Sequence, residues 1–308
     1  MRELIPPYPM FGSPDAFPDS AEKPEGCVSV TWQDEPSPMV DLTANVVYQS
    51  LGGEDQHLQI VSPMDMFTIP GAPAKKYPLV VYVPGSAWHR QNVWMALPKA
   101  MAVASKGYVV AIAEYRPTDI GAVFPAQRED AKAAIRFMKA NADKYKVDPE
   151  RVAIWGDSSG GHTSVSVAVD SPELVRCAVD WFGPTEISVM NYYPSGMDHH
   201  SADSPEGMLI GGKNVFDNPE LAQAVSPMTY ISAEKPVAPL LIMHGSKDML
   251  VPFNQSVRLY EKLKECGKDV RFYKLEGGGH GSGGFNSPEA LQPVLDFFAE
   301  KLKQAVFT

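Results

Sequence analysis

The stretch "AIWGDSSGGHTS", residues 153–164, sets an apolar strand-like run against a Gly-Ser cluster and then a helix-like run. Ser158 and Ser159 are flanked by Gly156, Gly160 and Gly161. A surface loop needs only one or two turn glycines. A sharp strand-to-helix turn that thrusts a serine Oγ outward needs more. Side chains two residues before and after that serine collide with the adjoining strand and helix, so glycine is required there. Gly156-Asp157-Ser158-Ser159-Gly160 fits G-x-S-x-G, with Ser158 as nucleophile and the following helix directing its dipole at the site. Gly161 is expected to let that helix pack close to the sheet. Ser159 is the rival nucleophile, but its own frame lacks a glycine two residues earlier.

Outward from this turn, apolar runs alternate with helical periodicity. "NVVYQS" and "LQIVSP" read as an opening antiparallel pair, and "PLVVYVPG", "YVVAIAEY", "RVAIW", "CAVDWF", "PLLIMHG" and "VRFYKLEG" as further strands. Helical spacing separates them, as in "FPAQREDAKAAIRFMKANADKY", while Pro98 is expected to interrupt the helix of "VWMALPKAMAVASKG". Repeated alternation predicts an α/β fold, a mostly parallel sheet with helices on both faces. Residues 39–308 read as one domain. Within it, 183–239 is a long irregular, lid-like insertion over the carboxyl ends of the strands, the edge where ligands bind. Residues 1–38, rich in Pro, Asp and Ser, read as an arm that packs on the body through Phe11, Phe17 and Trp32. Whether it closes the site or mediates a homodimer stays open.

An acyl-transfer serine needs a base and an orienting acid, in the chain order Ser, Asp or Glu, His. Of the seven histidines, His280 lies after a late strand in "EGGGHGSGG", whose glycines leave the ring room to reach Ser158. His244 ends a strand and reads as structural, His162 as a packing residue. His199 and His200, in "MDHHSAD", read as solvated loop residues rather than metal ligands. Asp248 in "HGSKDMLVP" lies between Ser158 and His280 and is preferred as acid over Asp180. Asp157, next to the nucleophile, cannot reach the far side of the imidazole. The oxyanion hole is expected from the N–H of Ser159 and of Ser86 or Ala87, in the loop after an earlier strand. Trp88, Trp181, Tyr192 and Tyr193 are candidates for an aromatic acyl pocket, with ordinary packing the alternative for each.

Bulk composition narrows the classes. The 308 residues are 44% hydrophobic, enough for a large core. Net charge is −10, with no basic run, which argues against a nucleic-acid binder. Cys27, Cys177 and Cys266 form neither a CxxC pair nor a disulfide framework. No signal-like or membrane-length apolar run is present, so the expectation is a cytoplasmic protein without a membrane partner. No metal or organic cofactor is implied.

The motifs taken together resemble the α/β-hydrolase superfamily, in its esterase/lipase branch related to hormone-sensitive lipase. Within it the chain is most similar to bacterial bifunctional feruloyl and acetyl-xylan esterases. The carriers are "VPGSAWHRQNV", the run from "FPAQRED" through "VAIWGDSSGGH", "ADSPEGMLIGG", "HGSKDMLVPFNQS" and "EGGGHG". The resemblance implies Ser158 as nucleophile, Asp248 as acid and His280 as base. It also implies a small-molecule or carbohydrate ester as substrate. The wider branch carries His-Gly-Gly-Gly where this chain reads Pro84-Gly85-Ser86-Ala87. The same three side chains would equally serve an amidase or peptidase, and a binding protein on a retired scaffold is the non-enzymatic alternative.

Overall fold

Alternate residues of strand β3 (Tyr77–Val83) belong to different cores: Leu79, Val81 and Val83 to one, Val80 and Tyr82 to the other. The computed structural model describes residues 39–51, 53–64 and 75–303, together with residues 25, 27 and 28. Phe11, Phe17 and Trp32, and the role expected of the arm, lie outside the described residues. Among the described residues eight strands make one sheet. They are β1 (Val40–Leu51), β2 (Glu54–Pro63), β3, β4 (Val109–Ala113), β5 (Val147–Asp157), β6 (Cys177–Trp181), β7 (Leu240–Gly245) and β8 (Val270–Leu275). Their order is β1-β2-β4-β3-β5-β6-β7-β8. β1 pairs antiparallel with β2, and β2 with β4; every later pair is parallel.

Parallel strands covered on both faces bury every side chain, and all five residues of β4 and of β6 are buried. One face carries α2 (Ala126–Ala140), α3 (Ser159–Asp170) and α6 (Asn254–Glu265), through Ile135, Met138, Val165, Leu259 and Leu263. The other carries α1 (Leu97–Ala104) and α7 (Pro288–Lys301), through Val103, Val294, Phe297 and Phe298. Each such fully buried side chain contributes roughly 1.5–3 kcal/mol. Pro98 does not interrupt α1. It sits in the helix's first turn, where its missing N–H costs nothing, after a short 3-10 turn over Val93–Ala96.

The segment 183–239 is more ordered than its composition suggests. It holds α4 (Pro205–Leu209), α5 (Pro219–Val225) and 3-10 turns over Ile187–Tyr192 and Pro227–Tyr230. Pro205, Pro219 and Pro227 each open one of these helices rather than breaking one. Because β3 and β5 to β8 all run the same way, the loops leaving Val83, Asp157, Trp181, Gly245 and Leu275 meet at one edge of the sheet.

Candidate active site

β5 ends at Asp157 and α3 begins at Ser159, leaving Ser158 alone at the turn with φ 53° and ψ −125°. An L-residue rarely holds that conformation, and it costs on the order of 1–3 kcal/mol. The surroundings enforce it. A Cβ on Gly156 would run into the Gly160 carbonyl, and one on Gly160 into the Val83 carbonyl of β3. A Cβ on Gly161 would meet Asp180 and Trp181 of β6, so this glycine sets how closely α3 lies on the sheet. Ser158 N donates to Trp181 O at 2.8 Å, which ties the turn to the neighbouring strand.

Ser158 Oγ lies 2.9 Å from His280 Nε2, and His280 Nδ1 lies 2.8 Å from Asp248 Oδ2. A carboxylate only accepts, so Nδ1 carries the proton and Nε2 presents a lone pair to the serine hydroxyl. The Phe182 ring stands 4.6 Å from the imidazole, centroid to centroid. Asp248 has no exposed side-chain surface. Its Oδ1 accepts from the amides of Leu250 (2.8 Å) and Val251 (3.0 Å). Its Oδ2 also faces His244 Nε2 at 3.2 Å. Burial pushes the carboxyl pKa up, but hydrogen bonds from His244 and His280 outweigh it and hold it well below the usual range. His244 therefore does more than fill the core. Its Nδ1 faces Ser256 Oγ at 2.7 Å and its Nε2 also meets Val251 O at 3.1 Å, so the donor on Nε2 is aimed at the acid.

The two loop amides proposed from sequence are separated by one hydrogen bond. Ser86 N donates to Ser159 Oγ at 2.9 Å, and that donor is spent. The Ser86 hydroxyl is held by His89 O (2.6 Å) and Tyr115 OH (2.7 Å). Ala87 and Trp88 follow with φ of 53° and 59°, and neither Ala87 N nor Ser159 N meets a protein acceptor among the described residues. Gly85 makes the approach feasible, since a Cβ there would sit 2.6 Å from Asp157 O. Asp157 itself accepts from Tyr82 OH (2.7 Å) and Gly85 N (2.9 Å), locking the loop after β3 to the turn.

Beside Ser158 lies a cavity of about 550 Å³ whose wall includes Trp88, Met95, Pro184, Met197, Leu250 and Val251. The aromatic candidates divide. Trp88 lines the cavity; Trp181 does not, being fully buried against Trp155 (4.9 Å) and Phe285 (5.1 Å), with the Lys99 ammonium 4.4 Å from its ring. As the last residue of β6, Trp181 points into the core by strand alternation. Tyr192 is 69% exposed, and neither it nor Tyr193 lines the cavity. Asp180 is buried under α3 and accepts from Gly183 N; burial pushes its pKa up to about 7. His162 is fully buried, with Nε2 on Val225 O, and burial lowers its pKa to about 4.

One reading needs correction. His199 and His200 are not solvated: they are 1% and 3% exposed. His199 lines the cavity, with Nδ1 3.1 Å from Glu206 Oε1 and Nε2 2.9 Å from Ser195 Oγ. Glu206, the second residue of α4, lines it too and escapes sequence reasoning. Its place after Ser204 and Pro205 looks like an ordinary helix start, and nothing local says that it is buried. Among the described residues, no group of three or more His, Cys, Asp or Glu could hold a metal ion, and no helix is long and apolar enough to cross a membrane.

Several known proteins similar to this chain carry esterase names. Esterase LipC of Mycobacterium tuberculosis is 26% identical over 230 residues, 71% of this chain and 56% of that protein. The chain spans about half the length of the curated relatives it matches. Among solved structures, a truncated carbohydrate esterase from gut microbiota superposes with a TM-score of 0.75 at 30% identity, covering 88% of this chain and 99% of that one. An esterase of Thermogutta terrifontis gives 0.65 at 25% identity, covering 89% and 96%. The family model BD-FAE matches residues 64–263, which span the turn at Ser158 and the acid loop. With its strand order, its strained serine turn and these relatives, the chain belongs to the BD-FAE family, within the esterase branch of the α/β-hydrolases.

Proposed function

We propose that the chain is a serine carboxylic-ester hydrolase that acts on acetyl or feruloyl esters of plant polysaccharide through an acyl-enzyme. The observation that carries this reading is the continuous hydrogen-bond line from Ser158 Oγ through His280 to Asp248, opening on the cavity. Ser158 Oγ attacks the ester carbonyl carbon while His280 Nε2 takes its proton. The carbonyl oxygen becomes an oxyanion facing the amides of Ala87 and Ser159, two donors that cost no reorganisation when charge develops. Collapse of the tetrahedral intermediate breaks the ester C–O bond, and His280 returns the proton to the departing alcohol. Water then loses a proton to the same nitrogen and attacks the acyl carbon; the second tetrahedral intermediate breaks its bond to Ser158 Oγ, His280 returns the proton to that oxygen, and the acid leaves. Asp248 holds the tautomer and stabilises the imidazolium. The carbohydrate ester is favoured by the solved neighbour described as a carbohydrate esterase.

The test is a matched panel on the wild type and Ser158→Ala: p-nitrophenyl acetate, methyl ferulate, acetylated xylan and an anilide. Hydrolysis of the esters that vanishes in the variant supports the proposal. Full retention in the variant, or cleavage of the anilide alone, overturns it.

A further inference from the structure

One ion pair next to the serine turn has no part in the steps above. Lys99 is the third residue of α1, and the buried residues of that helix, Ala100, Val103 and Ala104, are all apolar. The Lys99 side chain is nevertheless only 14% exposed. Its Nζ stands 4.4, 5.0 and 5.3 Å from the ring centroids of Trp181, Tyr82 and Trp155. It donates to Tyr82 OH at 2.8 Å and lies 3.9 Å from Asp157 Oδ2. Burial pulls the ammonium pKa below the usual lysine value, and Asp157 draws it back. A methionine would fill the space between the three rings at less cost than a desolvated charge. The partner carboxylate sits where charge matters. Asp157 precedes Ser158 and lines the cavity. Its Oδ1 accepts from Tyr82 OH and Gly85 N, at 2.7 and 2.9 Å. Ala87 comes two residues after Gly85, as Ser159 does after Asp157, and two residues of chain span at most about 7 Å. Oδ1 is therefore within about 10 Å of both oxyanion amides.

We infer that Lys99 is a positioning residue for ester hydrolysis: through its ion pair it offsets the charge of Asp157 beside the place where the oxyanion forms. This rests on the esterase reading above. Asp157 ties the loop after β3 to the serine turn, and Lys99 cancels the negative charge that this tie brings with it. With Lys99 gone, the carboxylate would repel the carbonyl oxygen as it takes on charge in each tetrahedral intermediate. A neutral ester in the ground state feels little of that field. The loss should therefore fall on kcat and spare KM.

The experiment measures kcat and KM for p-nitrophenyl acetate in the wild type, Lys99→Met, Lys99→Gln and the double variant Lys99→Met with Asp157→Asn, each checked by a thermal melt. Methionine removes the charge and fills the space between the rings. Glutamine also removes the charge but keeps a donor for Tyr82 OH. Asparagine at 157 keeps an oxygen for Tyr82 and Gly85 while removing the charge that Lys99 offsets. A unit charge about 10 Å away acts on a transition state by roughly tenfold at an effective dielectric of about 20. Both single variants should therefore lose about tenfold in kcat with KM within about twofold, and the double variant should recover to within about threefold of wild type. Unchanged kcat in Lys99→Met overturns the proposal. So does a loss that glutamine does not share, which would make the hydrogen bond the cause, or a loss that Asp157→Asn does not recover, which would make it packing. If neither single variant folds, Lys99 belongs to the scaffold and the proposal falls. Each of these outcomes leaves the esterase standing. A wild type inert on the ester overturns the esterase reading and the role of Lys99 together.

Discussion

Replacing Asp248 by asparagine asks the acid loop a question with one answer. Each carboxylate oxygen faces two donors: Oδ1 the amides of Leu250 and Val251, Oδ2 the rings of His280 and His244. An amide can offer oxygen to only one pair. Backbone amides cannot change their protonation, whereas histidines can move a proton between nitrogens. The asparagine oxygen therefore goes to Leu250 and Val251, and its NH₂ turns to the rings. His280 must then accept at Nδ1 and carry its proton on Nε2, so it presents N–H to Ser158 Oγ where a lone pair is needed. The geometry survives and the base is lost. The expected fall in kcat is about 10⁴-fold, as for the equivalent change in other serine triads, or about 5.4 kcal/mol of barrier. The assay is steady-state hydrolysis of p-nitrophenyl acetate at pH 7, with a thermal melt to show that the variant is folded. A folded Asp248→Asn enzyme within about tenfold of wild type would refute the tautomer argument.

Other substitutions probe the scaffold. Asp180, raised from 3.8 to about 7, holds in the fold a proton that the unfolded chain releases. Its stabilisation is complete below the unfolded value and is lost as the pH climbs to about 7. Relative to Asp180→Asn, wild-type unfolding free energy in urea should therefore decline by on the order of 4 kcal/mol between pH 4 and 7, and parallel profiles would refute this. Gly160→Ala puts a methyl against the Val83 carbonyl, backbone on backbone, and should cost more than about 4 kcal/mol, leaving little folded protein. Gly107→Ala, where φ is 91° but the added Cβ would meet nothing beyond its chain neighbours within 4 Å among the described residues, should cost only about 1 kcal/mol; comparable melting losses at both sites would contradict the steric account. Ser159→Ala strips Ser86 N of its acceptor, so stability should fall by about 1–3 kcal/mol and kcat should drop more than KM rises. An unchanged melt together with unchanged kinetics would show that this contact is dispensable.

The sheet and the serine turn are legible in the sequence because they rest on local rules. Gly156 and Gly160 answer to covalent geometry within a five-residue window, and alternating apolar runs answer to burial on two faces. Asp248 and His280 follow from chain order as candidates, and because parallel strands bring their following loops to one edge the structure sets both beside Ser158. What escapes depends on contacts between distant segments. Which amide after β3 stays free is decided by the Ser159 hydroxyl, 73 residues on. The burial of His199 and the proximity of Glu206 to the cavity depend on how 183–239 folds back toward the acid loop, where Gly196 N donates to Met249 O at 2.6 Å. Trp181 misleads for the opposite reason: an aromatic residue at a strand end looks available, but the strand's alternation turns it inward. Pro98 misleads as well, because a proline that breaks a helix from within opens one from its first turn.

Leu250 and Val251 lend their amides to the acid and their side chains to the cavity wall. An amide is the same on every residue except proline. Substitutions at these two positions can thus redraw the wall while keeping the amides that hold Asp248, so under the proposed function the shape of the acyl pocket and the proton chemistry can be varied separately.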